Sequence, residues 1–297
     1  MKTTTNNPQA RGVTAVVTAH SRIAQTLTTL EKLHACQPAP DEILVHVDGN
    51  SRQCEAAIRR AFPQTKVLHS ENPVGPGGGR NKLLAEARHE LVASFDDDSY
   101  PVDTDFFARV VTLFEQFPSA SILCAAVYHR GQTVELDSRR ADWVSDFSGG
   151  ACVYRRSVFL ATSGYVPLPM AYGMEEVDLA LRLRALGGGI LRTPWLRVFH
   201  DTDLRRHSSP QVTAASIANI ALLAYLRYPP SLWIVGLGQC CNRILWLLRN
   251  GRWRGILSGV LMIPPYLHSH REYRQKLQAH LVWSYLALRR APRPAEP

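Results

Sequence analysis

The sequence predicts an α/β domain on a mostly parallel central sheet, followed by a basic helical C-terminal region. Three observations carry this. Short β-branched or apolar runs alternate with segments of helical period from residue 13 onward, polar and acidic residues stand where the runs end, and no Asp or Glu occurs between Leu204 and Arg271.

Residues 13–18 are the first such run; a polar turn at 19–22 follows, then the apolar spacing Ile23, Leu27, Leu30, Leu33 of a helix. The unit repeats, with a strand over 42–47 ending in Asp48-Gly49-Asn50 and a helix over 52–61 closed by Phe62-Pro63. A third strand is expected at 66–69, a glycine-rich loop at 75–79 and a helix at 81–90. Residues 91–95 form a fourth strand that runs straight into Asp96, Asp97 and Asp98. An amphipathic helix over 106–117, strands over 121–129 and 151–154, a helix over 175–186 stopped by three glycines, and a strand over 195–199 delivering His200 complete the pattern. Ligands of such sheets gather beyond the carboxyl ends of the strands, where His20, Asp48 and the three aspartates fall.

The chain has 297 residues, 45% of them apolar, and a formal charge of +9, which predicts attraction to an anionic partner without choosing among nucleic acid, phosphorylated small molecule and acidic membrane. Its six cysteines form no C-x-x-C pair, so a reducing compartment is expected and zinc is not. Residues 1–11 are polar and lack the apolar stretch of a secretory signal, and no uncharged apolar run reaches the length of a membrane span; a cytoplasmic enzyme is expected.

Three adjacent aspartates at a strand end repel one another unless a counter-charge is present, so a divalent cation or a hydrogen-bonded sugar-phosphate is their natural partner. Oxygen ligands favour Mg2+ or Mn2+. A solvated acidic turn or a helix cap before Pro101 is the alternative. The segment Gly75-Pro76-Gly77-Gly78-Gly79-Arg80-Asn81-Lys82 lacks the Ser or Thr after Lys82 that a phosphate-cradling loop needs, and Arg80 stands where a dinucleotide fingerprint has its last glycine. Taken alone, such a stretch is more often a plain turn.

Seven segments in order resemble family 2 of the nucleotide-sugar-dependent glycosyltransferases, enzymes of the GT-A fold, and within them the branch of bacterial rhamnosyl- and galactofuranosyltransferases. They are Thr18-Ala19-His20-Ser21-Arg22, Val47-Asp48-Gly49-Asn50-Ser51, Asn72-Pro73-Val74-Gly75 leading to Gly78-Gly79-Arg80-Asn81, Phe95-Asp96-Asp97-Asp98-Ser99, Gly149-Gly150-Ala151-Cys152, Tyr172-Gly173-Met174-Glu175-Glu176-Val177-Asp178-Leu179 with Arg182-Leu183, and Val198-Phe199-His200. The resemblance implies residue roles. Asp48 and the loop His20 to Arg22 would hold base and ribose, and Asp96 or Asp97 the ribose or sugar; Thr18, Ala19, Gly79, Arg80 and Asn81 would be further nucleotide-sugar contacts; Asp98 and His200 would hold the metal, and Gly149 and Gly150 would lie on the acceptor side. Glu176 falls where the family has its general base, usually Asp, with Glu175 directly beside it. Apart from the resemblance, the basic run 205–207 with Arg206 is read either as folding over the diphosphate or as solvated surface. The implied reaction is inverting transfer of a sugar from a dTDP- or UDP-sugar to a hydroxyl of a glycan or lipid-linked acceptor, in cell-surface polysaccharide assembly.

These segments divide the chain into a catalytic domain at 12–203, a basic amphipathic helical region at 204–290, and disordered tails at 1–11 and 291–297. In the basic region arginines interleave with Trp233, Trp246, Trp253, Tyr225, Tyr228 and Tyr266, and the paired prolines at 229–230 and 264–265 break its apolar stretches. That mixture suits helices in an anionic bilayer interface, helices that cover a sheet, or a nucleic-acid groove. Association with the inner face of the plasma membrane is the expectation, and no nucleic acid is expected. Two alternatives to the transferase stand beside it. A sugar-nucleotide nucleotidyltransferase needs a glycine-rich basic loop directly after the first strand, which 19–22 is not; a non-catalytic binding protein of the same fold would be expected to lose the costly charges Asp96, Asp98, Glu176 and His200.

Overall fold

The computed structural model describes residues 12–168, 170, 174–202 and 209–296. The N-terminal tail at 1–11, Tyr172 and Gly173 of the sixth segment, and Arg206 with the basic run around it lie outside the described residues.

The strands are β1 (Val13–Ala19), β2 (Glu42–Asp48), β3 (Lys66–Ser70), β4 (Leu91–Asp96), β5 (Ser99–Pro101), β6 (Ala120–His129), β7 (Asp142–Val144), β8 (Ala151–Arg155), β9 (Gly189–His200) and β10 (Arg293–Pro294). They form one sheet in the order β10-β7-β9-β6-β8-β4-β1-β2-β3, with β5 added alongside β9. β3, β2, β1 and β4 run parallel, as does the long β6–β9 pair. β8 runs antiparallel between β4 and β6, pairing Phe95 with Ala151. That reversal sets the entry of β8, and hence Gly149-Gly150, beside the exit of β4.

Helices α1 (Ile23–His34), α2 (Arg52–Ala61), α3 (Gly75–Glu86), α4 (Phe106–Gln116), α5 (Arg156–Leu160) and α6 (Glu175–Ala185) belong to the sheet domain. Central strands are buried on both faces, so Val16, Val17, Leu44, Val45, Val92 and Ala93 are all fully inaccessible. The glycine-rich stretch is a correction: it is the first turn and a half of α3, not a loop. The Asp48 carboxylate accepts from the amides of Val74 (2.8 Å) and Gly75 (2.9 Å), which satisfies helix-end donors, and Pro76 suits that position. Glycine is required there by close approach, since a Cβ at Gly77 would lie 2.3 Å from Glu175 Oε2 and one at Gly79 2.6 Å from His46 Nδ1.

The C-terminal region folds as α7 (Pro210–Arg227), α8 (Trp233–Arg249), α9 (Ile256–Ser269) and α10 (Ala279–Arg290). α9 continues through Pro264 and Pro265 rather than breaking at them. These helices share a core with the sheet domain: Met174 and Leu181 pack with Leu222, Leu226, Val282 and Tyr285. Arg227 donates through Nε to Asp178 Oδ1 (2.5 Å) and through Nη1 to the Tyr273 carbonyl (2.8 Å), while Arg182 Nη2 donates to Asp178 Oδ2 (2.7 Å). Residues 291–296, expected to be disordered, include β10, which pairs with β7.

Among the described residues, 230–249 is the one helical stretch long and apolar enough to cross a membrane, and 22% of it is buried. α8 and α9 leave large apolar side chains outside, among them Ile234, Leu237, Leu257 and Leu261.

Candidate active site

The acidic run lies where β4 ends. Asp97 and Asp98 are buried and Asp96 is partly open. The three aspartates differ in their sets of partners, with Arg22 shared by two of them. Arg22, at the start of α1, donates through Nε to Asp97 (3.1 Å) and through Nη1 to Asp98 Oδ2 (2.5 Å). Asp98 Oδ1 lies 3.1 Å from His200 Nε2. Asp96 takes Thr18 Oγ1 (3.2 Å) and an Arg80 Nη2 hydrogen bond. The short strand β5 makes the second contact possible, because it pairs Ser99 with His200 across more than a hundred residues of chain.

These partners split the carboxylates electrostatically. Burial alone would raise the Asp98 pKa, but the His200 hydrogen bond and the charges of His200 and Arg22 outweigh it and hold Asp98 below the usual range. Burial also opposes charge on His200, yet the Asp98 hydrogen bond with the Asp96 and Asp98 charges raises it. Burial dominates at Asp97, which is pushed up to about 6 despite Arg22.

Glu175 and Glu176 form the other half of the site, in the first turn of α6. Glu175 is 4% exposed, whereas Glu176 stays partly open and accepts from the Gly149 amide at 3.3 Å. Burial raises both pKa values, with Glu176 adding to the rise at Glu175 and Arg80 opposing it at both. Arg80 joins the halves. It is 2% exposed and donates to Ser94 Oγ and the Gly149 carbonyl, both at 3.2 Å, and its Nη1 lies 3.6 Å from Glu175. The glycine pair is fixed by close packing: a Cβ on Gly150 would lie 2.2 Å from Asp96 Oδ2, and one on Gly149 would lie 3.0 Å from Glu176 Oε1.

Thus Thr18, Arg22, Arg80, Asp96, Asp97, Asp98, Gly149, Gly150, Glu175, Glu176 and His200 come together. Ala19 closes β1, and His20 bonds the Asp48 carbonyl through Nδ1 (2.7 Å) on the exposed flank of the same sheet end. A cavity of about 440 Å3, lined by Ser21, Asn50, Ser51 and Gln53, opens there. Gly79 and Asn81 are turned elsewhere. Gly79 packs on His46, and the Asn81 side chain clamps the backbone of Tyr165, accepting from its amide (2.7 Å) and donating to its carbonyl (3.0 Å). Ser99 ends the fourth resembling segment but carries no role in the sequence reading. Its hydroxyl accepts from the Asp96 amide (2.7 Å) and donates to the Gly150 carbonyl (2.6 Å), and its place directly after the aspartates was the available signal.

This arrangement, a parallel sheet with acidic residues at one strand end and a carboxylate-bearing helix facing them, is that of the nucleotide-sugar transferases of GT-A fold. The model of Glycosyl transferase family 2 matches residues 14–162, and the chain belongs to that family. Solved structures that share the fold include GalNAc-T7 with UDP, GalNAc and Mn2+ (TM-score 0.60, 13% identity, 75% of this chain and 49% of that one). Another is the mannosyltransferase PcManGT from Pyrobaculum calidifontis with GDP-Man and Mn2+ (TM-score 0.59, 14% identity, 95% and 86%). A third is S. aureus TarS 1–349 with UDP-GlcNAc (TM-score 0.52, 14% identity, 87% and 92%). An uncharacterized protein of Sinorhizobium fredii, y4gI, is 24% identical over 196 residues, which are 55% of this chain and 21% of that protein; the chain matches about a fifth of its length.

Proposed function

We propose that the chain is a metal-dependent inverting glycosyltransferase that moves a sugar from a dTDP- or UDP-sugar to a hydroxyl of a glycan or lipid-linked acceptor in cell-surface polysaccharide assembly. One observation carries it: at a single sheet end the carboxylates occupy two opposed environments, Asp98 held ionised against His200 and the Glu175-Glu176 pair held toward its neutral form. The Mn2+ complexes of two proteins of this fold agree with a metal.

Among the described residues no group of three His, Cys, Asp or Glu side chains converges as a metal cage. Asp98 and His200 nevertheless fit a cation of this kind, since they touch and offer one carboxylate oxygen and one imidazole nitrogen; Mg2+ or Mn2+ would be held by these two side chains. A bound ion supplies Lewis-acid neutralisation of the diphosphate leaving group. The cavity suited to base and ribose is lined by Ser21 and Asn50, close in the chain to His20, Arg22 and Asp48, and Asp96, fixed by Thr18 and Arg80, would contact the sugar.

Glu176 is the better base of the pair. It is the more open, and the Gly149 amide orients it toward the glycine loop on the acceptor side. It takes the acceptor hydroxyl proton as that oxygen attacks the anomeric carbon from the face opposite the departing diphosphate. One in-line displacement inverts the centre, and no protein nucleophile is required. The exposed apolar side chains of α8 and α9 support a cytoplasmic enzyme seated on the inner face of the plasma membrane through residues 204–290.

The test is a panel of nucleotide-sugars with Mn2+ or Mg2+, scored for nucleoside diphosphate release, with Asp98→Ala and Glu176→Gln as controls. Metal-dependent release that both substitutions abolish is expected. Turnover in excess EDTA, or full activity in either variant, overturns the mechanism.

A further inference from the structure

Between α7, α8 and α10 lies a cavity of about 610 Å3 whose lining includes Arg243, Arg289 and Arg290 and, among the described residues, no carboxylate. Glu272 is the sole Asp or Glu from Leu204 to Arg290. Arg243 is fixed in place by its Nε bond to Ser216 Oγ (3.1 Å) and by stacking on the Trp246 ring at 4.7 Å. The Gln239 oxygen is taken by the Tyr228 hydroxyl (3.1 Å), which leaves the Gln239 NH2 as a donor, and Asn242 supplies a second amide. Charged forks, amide donors and an aromatic wall recognise a phosphate ester.

The position of the cavity on α8 identifies the source of that phosphate. At about 100° per residue, Ile234, Leu237, Leu245 and Leu248 form one outward stripe, all at least half exposed, and Gln239, Asn242, Arg243 and Trp246 form a second about 150° round the helix. A helix is about 10 Å across, and an interfacial helix sinks about 5–10 Å. With the apolar stripe in the acyl region, the cavity stands at headgroup height.

We infer that this cavity binds the phosphate headgroup of an anionic membrane lipid while the outward stripe of α8 enters the bilayer. The inference rests on the membrane-surface reading given above and deepens it by naming the site and its ligand. Val177 lines the same cavity and follows Glu176 directly, so a lipid held there borders the helix that carries the proposed base.

Binding of the full chain to vesicles of phosphatidylcholine alone, and of phosphatidylcholine with phosphatidylglycerol, is measured by co-sedimentation at about 0.15 M salt. Wild type is expected to bind the anionic vesicles only, with the tryptophan emission moving to the blue. Arg243→Gln with Arg289→Gln and Arg290→Gln should weaken binding about 100-fold. A charge-matched control, Arg52→Gln with Arg60→Gln and Lys66→Gln, should bind as wild type. Gln239→Leu with Asn242→Leu keeps every charge and should still cost about tenfold, which a diffuse electrostatic contact would not. Inorganic phosphate at millimolar level should leave vesicle binding unchanged; full competition means a free-phosphate site and overturns the lipid assignment. If wild type binds anionic vesicles and both cavity variants do so equally, the cavity assignment falls and the membrane reading stands. If wild type ignores the vesicles, or buries α8 in a stable dimer instead, both fall, and nucleoside diphosphate release reports separately on the transferase reading.

Discussion

Arg227 of α7 closes on Asp178 of α6, with Nε 2.5 Å from Oδ1 and both residues almost inaccessible. A basic residue from the acid-free region is therefore a core residue of the sheet domain, and the two parts of the chain are electrostatically tied. Asp178 keeps Arg182 when Arg227 is removed, while the Tyr273 carbonyl loses its donor, so Arg227→Met should lower stability in urea unfolding by about 1–3 kcal/mol. Adding Asp178→Leu leaves buried Arg182 without its carboxylate and should lower it further, toward the roughly 3–5 kcal/mol of a broken buried pair. A loss below about 1 kcal/mol would mean that the pair is not held as described.

The glutamate pair makes stability depend on pH. Glu175 has a folded pKa raised above the ordinary glutamate value, to about 8. Its contribution is then fully present below the ordinary range and is lost as pH rises through the raised value. Glu175→Gln should melt higher than wild type near pH 8 and show no such advantage near pH 4. Parallel melting curves across that window would contradict a Glu175 carboxyl raised by burial and by its neighbour Glu176.

Gly150 tolerates no side chain while Asp96 stays where it is, with 2.2 Å left for a Cβ. Gly150→Ala should cost roughly 1–3 kcal/mol as an overpacked site and lower kcat/KM by about a hundredfold or more through displaced Asp96. Circular dichroism and donor titration separate this from unfolding.

Asn81 offers a contrast, because both ends of its amide are spent on Tyr165. Asn81→Ala leaves buried backbone groups unpaired and should destabilise by about 1–3 kcal/mol. The donor KM should move only a few-fold. A large KM change with unaltered melting would return Asn81 to direct nucleotide contact.

Much of the sheet was legible because its long strands are continuous apolar runs ending in His20, Asp48 and the aspartates. Direction was not, since Ala151–Arg155 reads the same parallel or antiparallel. The three-residue strands β5 and β7 exist only through pairing with β9, which no local pattern records. β9 itself begins at Gly189 rather than near Trp195 because its register against β6 shifts between Thr193 and Arg197, and Pro194 sits in that irregularity. Gly75 to Gly79 misled for a different reason: glycine usually marks a turn, but in α3 it makes room for Glu175 and His46. Within the site, the acidic cluster, His200 and both glutamates could be found from sequence order. The inward turn of Arg80 and the clamp by Asn81 depend on packing that sequence spacing leaves open.

The far edge of the sheet ends in β10, where Pro294 pairs with Asp142 and Ala295 bonds the Ala141 carbonyl at 2.9 Å. Proline has no amide hydrogen, so this outermost strand is a poor template for a further strand from another molecule. Two proline-flanked residues thus act as an aggregation guard for a sheet whose next strand inward, β7, is only three residues long. Cutting the chain at residue 290 would strip that guard, and the shortened protein should precipitate at concentrations where the full one remains dispersed.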